Sequence, residues 1–65
     1  MQLHEERVVA ERNELDDKII KLSIFINSER YRGLPSEEKD RLSRQRDVMR
    51  EYTKILGKRI LNFPK

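Results

Sequence analysis

Leu42, Met49, Leu56 and Phe63 recur every seven residues through the segment from Ser36 to Phe63. Gln45, Tyr52 and Arg59 form a second seven-residue series between them, and Val48, Ile55 and Ile60 widen the stripe. That period predicts a long amphipathic helix whose apolar face must meet another helix. Gln45 and Arg59 are polar residues at predicted seam positions. In a packed seam each needs a partner, which makes them early candidates for function. The upstream half of the chain reads as the partner helix.

In that half Val8, Leu15 and Leu22 are seven apart, with Arg12, Ile19 and Ile26 at the alternate seam positions. Leu15, Ile19, Leu22 and Ile26 therefore line one face of a helix expected over about residues 3–27. Val9, Ile20, Ile24 and Phe25 lie beside or outside that face, more apolar residues than one two-helix seam uses. A second apolar surface on the same helix predicts a second neighbour. Glu14 and Lys18 are spaced for a favourable four-residue pair on its flank.

Residues 28–35 read as the break. Asn27 and Ser28 suit a helix terminus, Gly33 permits positive φ, and Pro35 disfavours helix at Leu34. Ser36 is the expected N-cap of a second helix over about residues 36–62, with Glu37 and Glu38 where the helix dipole favours carboxylates. A connection this short makes the helices antiparallel neighbours, with Tyr31 and Leu34 folding back over the end of the seam. The expected architecture is all-α: one domain over residues 1–65, a helical hairpin assembling into a homo-oligomeric helical bundle.

Size supports the assembly. Sixty-five residues make one small domain without a cysteine, so neither disulfides nor thiolate metal sites can brace it. Self-association is the remaining cheap route to a full core. Charged residues make up 42% of the chain, yet the net charge is only +3, so most charges are expected to pair along solvated faces. No apolar run is long enough to span a bilayer or to act as a signal peptide, which points to the cytosol.

Antiparallel pairing places Arg12 and Arg59 at the open end of the hairpin, with Arg7, Lys54 and Lys58 around them. Arg30, Arg32, Lys39, Arg41 and Arg44 gather at the closed end. Two basic clusters on a small rod suit anionic ligands. The plainer alternative is that each arginine lies over apolar neighbours and pairs with Glu5, Glu11 or Glu51. Catalytic chemistry finds little support. His4 is a lone histidine near a helix start, and no serine sits in a nucleophile motif. The adjacent pairs Asp16–Asp17 and Glu37–Glu38 diverge around a helix instead of converging on a substrate. No phosphate-cradling glycine loop is present, and no cofactor is implied. The chain reads as a binding protein.

The run RVVAERNELDDKIIKLSIFI, a short loop, and then LPSEEKDRLSRQRDVMREYTKILGKRI resemble a family of small bacteriophage helical hairpins that includes the anti-CBASS sponges. The matching residues run from Arg7, Val8 and Glu11 through Lys18, Lys21 and Phe25 in the first half. In the second they include Arg44, Gln45, Tyr52 and Arg59. The resemblance covers nearly the whole chain, and its specificity rests on the polar residues Lys21, Gln45 and Arg59.

The resemblance implies a compact hexamer in the host bacterial cytoplasm that sequesters cyclic di- and trinucleotide messengers without cleaving them. It implies sites between protomers, in which a base stacks on an aromatic near the start of the first helix and a lysine meets phosphate. Lys21 matches that lysine. Glu6 stands where the aromatic is expected, with His4 the nearby flat ring and Arg7 beside it. Ser23 and Arg59 match a trinucleotide pocket through their K-L-S and R-I contexts. The competing class is a phage protein-interaction hairpin that docks on a host or phage protein. DNA or RNA binding is disfavoured because 12 acidic residues are interspersed with the 15 basic ones.

Overall fold

The computed structural model describes residues 3–64. Helix α1 runs over Leu3–Ile26, a single helical turn α2 over Glu29–Arg32, and α3 over Ser36–Leu61. Among the described residues every regular element is helical. Helices α1 and α3 pack side by side in opposite directions. Glu11 meets Tyr52, Asp16 meets Thr53, and Arg12 lies against Gly57. The result is a rod with extents of 48 × 14 × 13 Å.

The core is a narrow line down that rod. Val8, Leu15 and the fully enclosed Leu56 are buried, and Ile19, Met49, Ile60 and Phe63 pack against them half-covered. Burying an aliphatic side chain is worth about 1.5–3 kcal/mol, so three such residues and their partial neighbours form a thin core. The α1 seam falls where its spacing predicts. The α3 seam does not. Gln45 and Arg59 are exposed and Tyr52 is 41% exposed, outside the seam instead of within it.

The alternate seam positions of α3 are Arg46, Thr53 and Ile60, each half-buried. Both choices keep the seven-residue period with Leu42, Met49, Leu56 and Phe63; they differ only in whether the intervening residue comes three or four later. The four-residue step aims the side chain at α1, because Thr53 finds a hydroxyl acceptor there in Asp16. Val48 and Ile55, expected to widen the buried stripe, are 60% and 52% exposed.

The turn is more ordered than its sequence suggests. Asn27 returns its side-chain amide to the Ser23 carbonyl at 3.0 Å, and Ser28 donates its hydroxyl to the Phe25 carbonyl at 2.5 Å, each adding a second bond to a carbonyl that already accepts a backbone N–H. The same Ser28 oxygen accepts the Tyr31 N–H and caps α2. Gly33 has φ −81°, so the left-handed freedom expected there is unused. Pro35, not Ser36, is the N-cap of α3. Its φ of −58° is set by its ring, its carbonyl accepts the Lys39 N–H at 3.0 Å, and Ser36 is already helical.

Tyr31 does fold back over the hairpin. Its hydroxyl lies 3.1 Å from both the Lys39 carbonyl and Ser43 Oγ, and its ring meets Phe25 edge to face at 6.4 Å. Lys39 Nζ sits over the Tyr31 ring, 5.9 Å from its centroid. These contacts pin the closed end.

Candidate ligand-binding grooves

A hairpin has two flanks, where side chains just outside the seam meet across the helices. Arg50 and Tyr52 are two residues apart on α3 and so point to opposite flanks. On the Tyr52 flank, its hydroxyl donates to the Glu11 carboxylate. That hydrogen bond holds the proton on the phenol and raises the Tyr52 pKa above its ordinary value; desolvation and the Glu11 charge act in the same direction, and nearby Arg59 opposes them. Tyr52, Val48 and Ile55 together form an exposed, largely apolar stripe on α3.

On the Arg50 flank lies an open groove of about 700 Å³. Ile19, Ile20 and Ile24 form its apolar wall, and Ser23, Asn27 and Arg50 supply polar groups. Ile20 and Ile24 are 58% and 67% exposed, so this wall is the second apolar surface predicted for α1. Ser23 is thus placed in a concave site. Arg50 was missed by sequence reasoning, since a single charged residue beyond a helical stripe carries no signal until its partner helix is placed.

The other sequence candidates lie elsewhere. Lys21 is exposed outside that groove and pairs with Asp17 one turn earlier at 3.0 Å. His4 and Arg7 are exposed on the first turns of α1, at the open end with Arg59. In the antiparallel register Arg59 lies across from about residue 9. At 1.5 Å per residue, that puts it roughly 18 Å along the rod from Lys21. One chain therefore does not gather His4, Arg7, Lys21, Ser23 and Arg59 into a single pocket.

A second, smaller groove of about 380 Å³ lies at the open end, lined by Arg12, Lys54, Gly57, Lys58, Ile60 and Leu61. The sequence placed Arg12, Lys54 and Lys58 together there, and the structure agrees, but Arg59 is not among its lining residues. Arg12 is only loosely held. Its Nε is 3.9 Å from Asp16 Oδ2 and is buried without a hydrogen-bond partner among the described residues. Glu14 and Lys18 do not pair; Arg41–Glu38 and Lys54–Glu51 bridges form on α3 instead.

Among the described residues no three His, Cys, Asp or Glu side chains are placed to hold a metal ion, and no helix is long and apolar enough to cross a membrane. Both grooves are instead suited to binding: apolar on one side, cationic or hydroxyl-bearing on the other. Compared with known proteins, nearly the whole chain, residues 2–62, matches the family model described as Sequestin. No curated protein and no solved structure matches it.

Proposed function

Because this chain belongs to the Sequestin family, we propose that it is a sponge that sequesters cyclic di- or trinucleotide second messengers, serving a bacteriophage against CBASS immunity. The family name itself speaks of sequestering, a binding role and not a catalytic one. The observation that carries the reading is the separation of its candidate ligands along a thin rod. Lys21 and Ser23 stand toward the middle, and His4, Arg7 and Arg59 at the open end, each exposed or half-exposed. Binding residues so dispersed serve one ligand only when copies of the chain bring the two groups together.

Two exposed apolar surfaces, Ile20 with Ile24 and Val48 with Ile55, supply contact area for such copies on both flanks. A cyclic nucleotide carries two or three phosphates related by the symmetry of its ring, and a symmetric interface offers one lysine or arginine per phosphate from separate chains. Lys21 and Arg59 take phosphate in this reading, Ser23 and Arg50 the sugar or base edge, and His4 the stacking role left open by Glu6. Capture without turnover suffices, provided protein outnumbers messenger.

Isothermal titration of the purified chain with a panel of cyclic di- and trinucleotides tests the proposal. Submicromolar binding at fewer than one ligand per chain, weakened by Arg59→Ala and Lys21→Ala, is the expected result. Silence across the panel from a folded oligomer overturns it and favours a protein-docking hairpin.

A further inference from the structure

We propose that the open-end groove between Arg12 of α1 and Lys54, Gly57 and Lys58 of α3 is a separate phosphate site that takes a nucleoside phosphate. Its volume of about 380 Å³ falls in the range of small-molecule sites. Among the described residues, three of the six that line it are cations and none is a carboxylate. The acids that pair with these cations do so loosely: Asp16 sits 3.9 Å from Arg12 Nε, and Glu51 sits 3.9 Å from Lys54 Nζ. Lys58 has no ion-pair partner among the described residues.

Gly57 is the floor that makes the arrangement possible. It is buried in the middle of a helical turn, where glycine disfavours the helix relative to alanine. A Cβ there would meet Arg12 Cζ and Nη2 at 3.1 Å and Nη1 at 3.3 Å. The absent side chain lets the guanidinium lie flat against α3, and among the described residues its two terminal nitrogens pair with no carboxylate. A guanidinium sharing a groove with two lysines matches the oxygens of a phosphate, which accepts paired N–H bonds from arginine and point charges from lysine.

The ligand carries more than phosphate. Ile60 and the 80% exposed Leu61 form the apolar side of the groove, a surface that a base or sugar ring would cover. Lys58 also stands in the last turn of α3, where a cation offsets the negative end of the helix dipole. None of the residues that line the groove is assigned to the cyclic nucleotide, and the inference stands apart from the sponge reading.

Heteronuclear NMR of the full chain, titrated with adenosine monophosphate and with adenosine, tests it. The expected result is a saturable shift of the Gly57 amide and its neighbours through Leu61 with the monophosphate, and a far weaker one with adenosine. Lys58→Gln and Lys54→Gln each weaken binding about tenfold, the usual size of one lost charge-assisted contact. Gly57→Ala displaces Arg12 and weakens it too, while far-UV circular dichroism shows the helices intact. Arg41→Gln removes the same charge at the closed end and leaves affinity unchanged. Shifts scattered over the cations of both ends, or equal losses in Arg41→Gln and Lys58→Gln, overturn the site. Equal binding of adenosine overturns the phosphate. A Gly57 response beside a silent cyclic-nucleotide panel upholds this site and removes only the shared pockets.

Discussion

Thr53 of α3 donates its hydroxyl to the carboxylate of Asp16 on α1, across a seam whose buried core is aliphatic. The other oxygen of that carboxylate faces Arg12 Nε at 3.9 Å. Asp16 therefore bonds across the helix pair while making only a loose ion pair with Arg12. A hydroxyl at a half-buried seam position needs an acceptor, and Asp16 is the acceptor that fixes the register.

Thr53→Val keeps the shape of the side chain and leaves the Asp16 carboxylate without its donor. The expected cost is about 1–2 kcal/mol in urea unfolding, at constant m-value. An unchanged midpoint would mean that solvent satisfies Asp16 equally well and that register is set by the apolar residues alone.

Leu56 is the fully buried side chain of a thin core. Leu56→Ala removes it at about 2–5 kcal/mol, comparable with the whole stability of a domain this small. Circular dichroism should show a largely unfolded chain at dilutions where Leu61→Ala, altering an 80% exposed residue, remains helical. Equal helicity in both variants would place the stabilising contacts between chains and not within one.

Tyr52 holds its proton more tightly than a free tyrosine because Glu11 accepts its hydrogen bond. With the folded pKa above the unfolded value of about 10, the contribution of this bond is complete below that pH. It is lost as pH rises through the folded Tyr52 pKa. Phenolate absorbance should show Tyr52 ionising above the ordinary value in the parent, and nearer to it in Glu11→Gln. A titration indifferent to Glu11→Gln would exclude the bond in solution.

The two exposed apolar surfaces separate assembly from folding. Ile24→Glu and Val48→Glu act on opposite flanks at solvent-facing positions, where substitutions usually change stability by no more than about 0.5 kcal/mol. Each should lower the mass seen in sedimentation equilibrium while leaving helicity intact. Variants that sediment like the parent would show that neither flank is an interface.

Much of the hairpin was legible because apolar spacing reports burial directly. Leu15, Ile19, Leu42, Met49 and Leu56 announce a seam by type and interval. The α3 seam was misread at its alternate positions because Thr53 and Arg46 are polar there, while the exposed Tyr52 looks like a core residue. Hydropathy favours the wrong one of two equal periods, and only the position of Asp16 on the other helix decides. Ser28 was legible as a terminus but not as a double cap, and Ser36 lost the capping role because proline already fixes the entry angle. For the grooves, the cationic company of Arg12, Lys54 and Lys58 followed from antiparallel pairing. Arg50 could not be found that way, since which flank a charged residue faces is decided by the final twist of the pair.

At 13–14 Å across, the rod is one helix pair thick. Such a body can flank a small molecule but has no interior in which to enclose one. For the proposed sponge, enclosure would be a property of concentration: a trap built from these rods would exist only when they are abundant enough to meet. Dilution would open it and release the cargo, and cargo that bridges rods would postpone the opening.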